Sequence, residues 1–388
     1  MRNPLSERIE TIKPSGIRKF FDIVNEMDDA ISLGVGEPDF DTPWTIRDEA
    51  IYSLEQGRTF YTSNTGLLSL RKEISGYLKR RFDLSYDPEK EMIVTVGGSE
   101  AIDIALRAML DPGDEVLIPE PSYVSYVPCT ILANGVPVPI PLKEENEFRL
   151  TPEELKEKIT DKTKILVLPF PNNPTGAVME KKDLEKIADI VKEHDLFVLT
   201  DEIYAELTYL EKHVSIASLP GMKERTVYIN GFSKAYAMTG WRLGYACAPE
   251  VILKQMLKIH QFAIMCAPTM SQYAAVEAVK NCDDEVKKMR DEYDKRRRYL
   301  LDRFKKMNLK CFEPFGAFYI FPSIAEFGMT SDEFATRFLQ EKKVAVVPGN
   351  AFGESGEGFI RISYAYSLEN LREAIDRLEE FITECRKG

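Results

Sequence analysis

The chain has 388 residues, 44% of them hydrophobic and 29% charged, a length and composition that fit more than one globular domain with a sizeable core. Lysine and arginine number 51 against 63 aspartates and glutamates, a net charge of -12, which argues against nucleic acid as a main partner but leaves room for a local anion site. Apolar runs stop at strand length, the amino terminus has no apolar segment, and the six cysteines are scattered without a Cys-x-x-Cys pair, so no membrane span, signal peptide or disulfide framework is expected, and a cytoplasmic location is.

In chain order, the first 45 residues are expected to form an arm that packs with a smaller carboxy-terminal section. "EMIVTV" then reads as a buried strand, and "GGSEAIDIALRAML" after it as a helix with apolar positions at 102, 104, 106, 109 and 110. "DEVLIP" and "TKILVLPF" are the next strands. The helix "EKKDLEKIADIVKEH" follows, with Leu184, Ile187, Ala188, Ile190 and Val191 on one side. "LFVLTD" and "RTVYING" complete a series of apolar strands of the kind buried on both faces in parallel sheets. "DDEVKKMRDEYDKRRRYLLDRFKKM" reads as a long helix whose mixed charges form a solvated, salt-bridged face. Strand-like "CFEPFGAFYIFP", "VAVVPG" and "GFIRISYA" and a final helix over 368–385 close the chain. The fold class is α/β: a large domain over 46–285 with a mainly parallel sheet flanked by helices, and a smaller α+β domain over 286–388.

Ligands of open α/β sheets bind beyond the carboxyl ends of the strands, so the polar residues there are the candidates. Gly97, Gly98 and Ser99 follow the first strand and Tyr123 the second. Asn172 and Asn173 follow the third, Asp201 the fourth, and Ser233 and Lys234 the fifth. Each has an ordinary reading alone: a glycine turn, a packed aromatic, a loop amide, a helix cap. Arg242 by itself reads as a surface ion-pair partner. Their joint occurrence on one rim is harder to assign to chance. The three histidines, His194, His213 and His260, have no metal-ligand spacing, so neither a metal site nor a histidine-based triad is expected.

An anion nest, an aromatic plate, an amide, a carboxylate, an amine and an arginine fit pyridoxal 5'-phosphate. A lysine amine kept neutral by a dry, electropositive site forms a Schiff base with the aldehyde. A carboxylate keeps the pyridine nitrogen protonated, so that the ring accepts electrons. Arginine and a helix start hold the phosphate. The freed lysine shuttles the proton.

The motifs also carry a resemblance: "GEPDFDTP" (36–43), "YTSNTGLLSLR" (61–71), "GGSEA" (97–101), "PSY" (121–123), "NNPTG" (172–176), "DEIY" (201–204), "SKAYAMTGWRLGY" (233–245), "GAFY" (316–319) and "RISYA" (361–365). In that order, and over nearly the whole chain, they resemble the class I/II aminotransferases of the fold type I pyridoxal-phosphate enzymes, in the aspartate-aminotransferase-like branch. The resemblance implies that Lys234 is the Schiff-base lysine and that Asp201 is the partner of the pyridine nitrogen. It makes Asn173 and Tyr204 donors to the ring oxygen and Tyr123 the stacking aromatic. Gly98, Ser99, Ser233 and Arg242 become phosphate contacts, and Arg361, with Gly36 and Asn173 beside it, the grip on the substrate carboxylate. Tyr61 would reach the phosphate of a neighbouring subunit, implying a homodimer with shared sites. The chain departs from many relatives at Gly231, where they carry a hydroxyl.

The implied reaction is amino-group exchange between an L-amino acid and a 2-oxo acid such as 2-oxoglutarate. Aspartate is the first donor to consider, with aromatic amino acids and alanine open. A carbon–sulfur β-lyase would use the same ring residues. A regulator's sensing domain would need a DNA-binding part, for which the segment before the motifs looks too short. A nicotinamide dehydrogenase fails because "GVGEPD" lacks the third glycine of the dinucleotide fingerprint.

Overall fold

The computed structural model describes residues 2–14, 29–210 and 212–387. Part of the expected amino-terminal arm, residues 15–28, lies outside them. The strands are β1 (Ile31–Ser32), β2 (Met92–Thr95), β3 (Glu115–Glu120), β4 (Val136–Pro141), β5 (Thr163–Leu168) and β6 (Phe197–Asp201). They continue with β7 (Thr226–Gly231), β8 (Gly244–Cys247), β9 (Tyr319–Ile320), β10 (Val344–Ala345), β11 (Val347–Pro348) and β12 (Ile360–Ser363).

Seven strands form one sheet in the order β2-β8-β7-β6-β5-β3-β4. All of its pairings are parallel except those of β8 with β2 and β7. Apolar residues in successive positions point to opposite faces. Ile165, Val167, Val227 and Ile229 pack in one core with the helix Gly97–Met109, while Leu166, Leu168 and Val198 pack in another with the helix Lys181–Glu193. Each fully buried aliphatic side chain contributes about 1.5–3 kcal/mol relative to exposure. The five apolar residues picked out on Lys181–Glu193 are the five it buries.

Two strands of this sheet were not legible in the sequence. β4 is "VPVPIP", and its prolines suggest a loop. It is an edge strand, where Val136 N–H donates to Asp114 O (2.8 Å) and Leu142 N–H to Glu120 O (2.7 Å). By alternation Pro137, Pro139 and Pro141 occupy the positions whose N–H would face away from β3, so no ladder bond is lost. β8, "GYAC", is four residues inside a motif-rich stretch and shows itself only by inserting antiparallel between β2 and β7.

Smaller sheets follow. β11, β12 and β9 pair antiparallel, and β1 pairs parallel with β10. "VAVVPG" is thus two short strands in different sheets rather than one. Near the amino terminus, Arg8 Nη1 donates to Leu132 O (3.2 Å). The charged helix Asp283–Met307 is not solvated all round, since it buries Val286, Met289, Tyr293, Leu300 and Phe304 together with Arg296 and Arg297. Arg296 Nη1 binds both oxygens of Asp39 (2.8 and 2.9 Å), and Arg297 Nη1 pairs with Glu313 Oε1 (2.8 Å). Leu368–Cys385 is the last helix. No described helix is long and apolar enough to cross a membrane.

Candidate active site

A cavity of about 370 Å³ opens at the carboxyl ends of the parallel strands. Gly98 and Ser99 enter it from the start of the helix Gly97–Met109, and Tyr123 from the loop after β3. Asn173 comes from the loop after β5, Asp201 and Tyr204 from the end of β6, and Ser233, Lys234 and Arg242 from the loop after β7. Gly36 and Arg361, the latter on β12, complete the wall on the other side. Parallel strands deliver their following loops to one edge of the sheet, which is why residues as distant in sequence as Gly98 and Arg242 converge here.

Lys234 stands in the turn that ends β7, where Ala237 N–H bonds Lys234 O (3.4 Å) and Ala237 is left-handed (φ 51°). Thr42 ties this loop to the amino-terminal segment: its hydroxyl donates to Ala237 O (2.6 Å) and accepts from Trp241 Nε1 (3.0 Å). The amine donates to Gly36 O (2.5 Å). Burial, then the guanidinium of Arg361, and less strongly Arg242, lower its pKa to about 8 against the pull of Glu37. The dry and electropositive surroundings expected for a nucleophilic lysine are therefore present.

Asp201, 8% exposed, accepts from Tyr126 Oη (2.8 Å) and from Ile203 N–H (3.3 Å). Burial raises its pKa to about 6, and the Tyr126 hydrogen bond opposes that rise. Tyr204 Oη lies 2.7 Å from Tyr319 Oη. Arg361, 2% exposed, donates through Nη1 to Asn173 Oδ1 (2.8 Å) and through Nη2 to Gly34 O. Its guanidinium lies between the rings of Tyr319 and Phe352 at 4.5 and 4.7 Å, and its buried Nε has no protein partner. A planar cation held this way, with one donor unspent, is built for a carboxylate.

Arg242 is exposed at the mouth, in the left-handed region (φ 51°), with Nη1 donating to Thr239 O (3.0 Å). Its guanidinium packs directly on Gly97, where an added Cβ would lie 2.7 Å from Nη2, and Gly97 itself has φ +78°. A side chain at 97 would thus both strain the turn and push the arginine off the helix start. A guanidinium over bare backbone N–H groups makes an anion cradle.

The profile of the family described as "Aminotransferase class I and II" matches residues 28–378. The chain belongs to that family. This aminotransferase is 51% identical to an aspartate aminotransferase of Pyrococcus abyssi, over 98% of each chain. It is 48% identical to aromatic-amino-acid aminotransferase 2 of Thermococcus litoralis, again over 98% of each. Among solved structures, aspartate aminotransferase from Thermus thermophilus with maleate superposes with a TM-score of 0.93 at 39% identity, covering 98% of this chain and 100% of that one.

Three candidates do not line the cavity of this aminotransferase: Gly97, which sits under Arg242, Asn172, which is buried and accepts from Thr175 N–H and Oγ1 (3.1 and 2.8 Å), and Tyr61, which is 80% exposed. Gly231, the departure from many relatives, has a packing reason. An added Cβ there would meet Gly244 Cα at 3.0 Å and Leu243 O at 3.1 Å, because β7 and β8 face each other glycine to glycine. Tyr126 and Glu37 were missed in the sequence. Tyr126 starts the short helix Tyr126–Leu132 and Glu37 lies in an irregular segment, and neither has a period that reveals its direction. Tyr319 sits within the quoted "GAFY", but its contact with Tyr204 spans 115 positions.

Proposed function

We propose that this aminotransferase holds pyridoxal 5'-phosphate in the cavity and uses it to exchange an amino group between an L-amino acid and a 2-oxo acid of 2-oxoglutarate type. The observation that carries the reading is Lys234 itself, an amine lowered to about 8 between Asp201 and Arg361, with the Gly97–Arg242 cradle at the mouth. The donor set fits the cofactor. Gly98, Ser99, Ser233 and Arg242 would hold its phosphate, Tyr123 its ring face, Asn173 and Tyr204 its ring oxygen, Asp201 its ring nitrogen and Lys234 its aldehyde. When bound, the cofactor supplies an electron-accepting ring.

The chain's own residues do the rest. Arg361, with Gly36 and Asn173 beside it, grips the substrate carboxylate and orients the amino acid. Lys234 Nζ, once released, carries the proton, and a pKa near neutrality suits it to both taking and giving. Lys234→Ala removes that base, so turnover should fall at least about a thousandfold and the visible absorption band of a lysine-bound cofactor should vanish. Normal turnover with an intact band would overturn the assignment.

Aspartate is the first donor to test, with aromatic amino acids and alanine next. Among the described residues, the cations lining the cavity are Lys234, Arg242 and Arg361, and each already has a role. A second carboxylate on the donor would therefore need a cation from elsewhere, such as a second subunit. Formation of glutamate from 2-oxoglutarate with each donor in turn decides the preference. Release of pyruvate with no 2-oxo acid present would instead favour β-elimination; the names of the relatives favour transfer.

The reading extends to a cytoplasmic homodimer with shared sites, divided at about residues 45 and 285. Phe60, Tyr61 and Phe262 are 82%, 80% and 87% exposed, and Met265 is exposed as well. Asn64 Nδ2 donates to Met265 O (2.9 Å) and Thr269 Oγ1 to Phe60 O (2.7 Å), which joins the segment of Phe60 and Tyr61 to the one that follows Phe262. An apolar patch of this kind is what a subunit interface covers, and Tyr61 lies in it.

A further inference from the structure

The glycine turn that starts the helix Gly97–Met109 is held from behind by a buried glutamate–histidine contact that the reaction does not use. Glu100 reaches back one turn, and its Oε2 accepts the N–H of Val96 (2.5 Å). Its Oε1 lies 2.6 Å from His260 Nδ1, on the helix Glu250–Ala263. The imidazole is 0% exposed and the carboxylate 9%. His260 Nε2 is buried with no partner, which selects the tautomer with the proton on Nδ1. An empty lone pair costs less in a core than an orphaned N–H. Thr95 Oγ1, donating to Gly97 O (2.9 Å), fixes the other side of the turn.

These bonds decide where the N–H groups of Gly98 and Ser99 point. Val96 is the last residue before the helix and Gly97 is left-handed, so the turn needs an acceptor for the Val96 N–H to keep its shape. A carboxylate at a helix start is favoured by the dipole, but it also sits close to where an anion would bind. Accepting from His260 keeps Glu100 turned back onto Val96, away from the cradle under Arg242.

We propose that Glu100 and His260 are positioning residues that hold the Gly97–Ser99 turn in the shape that binds the phosphate ester of the cofactor. The inference rests on the pyridoxal-phosphate reading above. It makes His260 a donor whose only task is to orient a carboxylate, and it gives one of the chain's buried histidines a function away from the chemistry.

The test compares full-length protein stripped of cofactor in its affinity for pyridoxal phosphate and for pyridoxal, which lacks the phosphate. In His260→Leu, affinity for pyridoxal phosphate should fall at least tenfold while affinity for pyridoxal stays within twofold. His260→Asn, whose side-chain N–H can stand where Nδ1–H stood, should recover most of the loss. Equal losses for both ligands, an unchanged affinity for pyridoxal phosphate, or no difference between the two variants would each overturn the proposal. Should His260→Leu fail to fold, Glu100→Gln, of the same size, serves in the same comparison with the same expected split. If the unmodified protein binds neither ligand, the cofactor reading fails instead, and that result is distinct.

Discussion

At Lys234, the proposed function works against stability. A folded-state pKa lowered to about 8 from 10.5 means that the folded protein binds this proton more weakly than the unfolded chain does. The resulting stabilisation is complete above about 10.5 and lost as pH falls through about 8, so at neutral pH the charged amine is a burden on the cofactor-free protein. Lys234→Met should therefore be inactive yet more stable, by about 1–3 kcal/mol at pH 7. The gap between its melting temperature and that of the unmodified protein should narrow from pH 8 to 10. Asp201 has the opposite sign. Raised to about 6 by burial, it stabilises below about 4 and loses that contribution as pH rises through 6. Tyr126 opposes the rise, so Tyr126→Phe should move the acid limb of kcat/KM to higher pH, with turnover reduced by no more than about tenfold. An unmoved limb would show that the hydroxyl does not tune the carboxylate.

The pairing of β7 with β8 sets a limit on what residue 231 can be. Gly231 faces Gly244, and Gly244 in turn packs on the Gly97–Gly98 backbone, where an added Cβ would lie 2.6 Å from Gly97 C. These four glycines thus bring the strand before Lys234, the loop that carries Arg242 and the turn at the start of the helix Gly97–Met109 within contact of one another. Placing a hydroxyl there, as Gly231→Ser, should destabilise by about 1–3 kcal/mol rather than improve cofactor binding. Chemical denaturation measures the first effect and cofactor titration the second. The long helix Asp283–Met307 acts at the same scale. Through Arg296 and Asp39 it anchors the "GEPD" segment, whose Gly36 carbonyl receives the Lys234 amine.

For the whole molecule, the apolar surface around Phe60, Tyr61 and Phe262 carries the subunit question. Phe262→Glu places a charge on a ring that is 87% exposed in the single chain, so the folded subunit should keep its stability to within about 0.5 kcal/mol. Light scattering should show a shift from dimer to monomer, with activity falling in step if Tyr61 serves the partner's site. A dimer of unchanged affinity would place the interface elsewhere.

The amino-acid sequence alone determined five of the seven strands of the large sheet, the family likeness and most of the polar residues that line the cavity. It could do so because buried parallel strands are continuously apolar and because their following loops carry the polar residues. It was silent where direction rather than pattern decides. Nothing in "VPVPIP" says that three prolines can lie on the free side of an edge strand, and no spacing puts the Tyr126 hydroxyl on Asp201 or His260 behind Glu100. Nor does it show why Gly231 must stay bare. Those contacts depend on which way a side chain leaves its backbone once distant segments have packed, and only the tertiary structure fixes that.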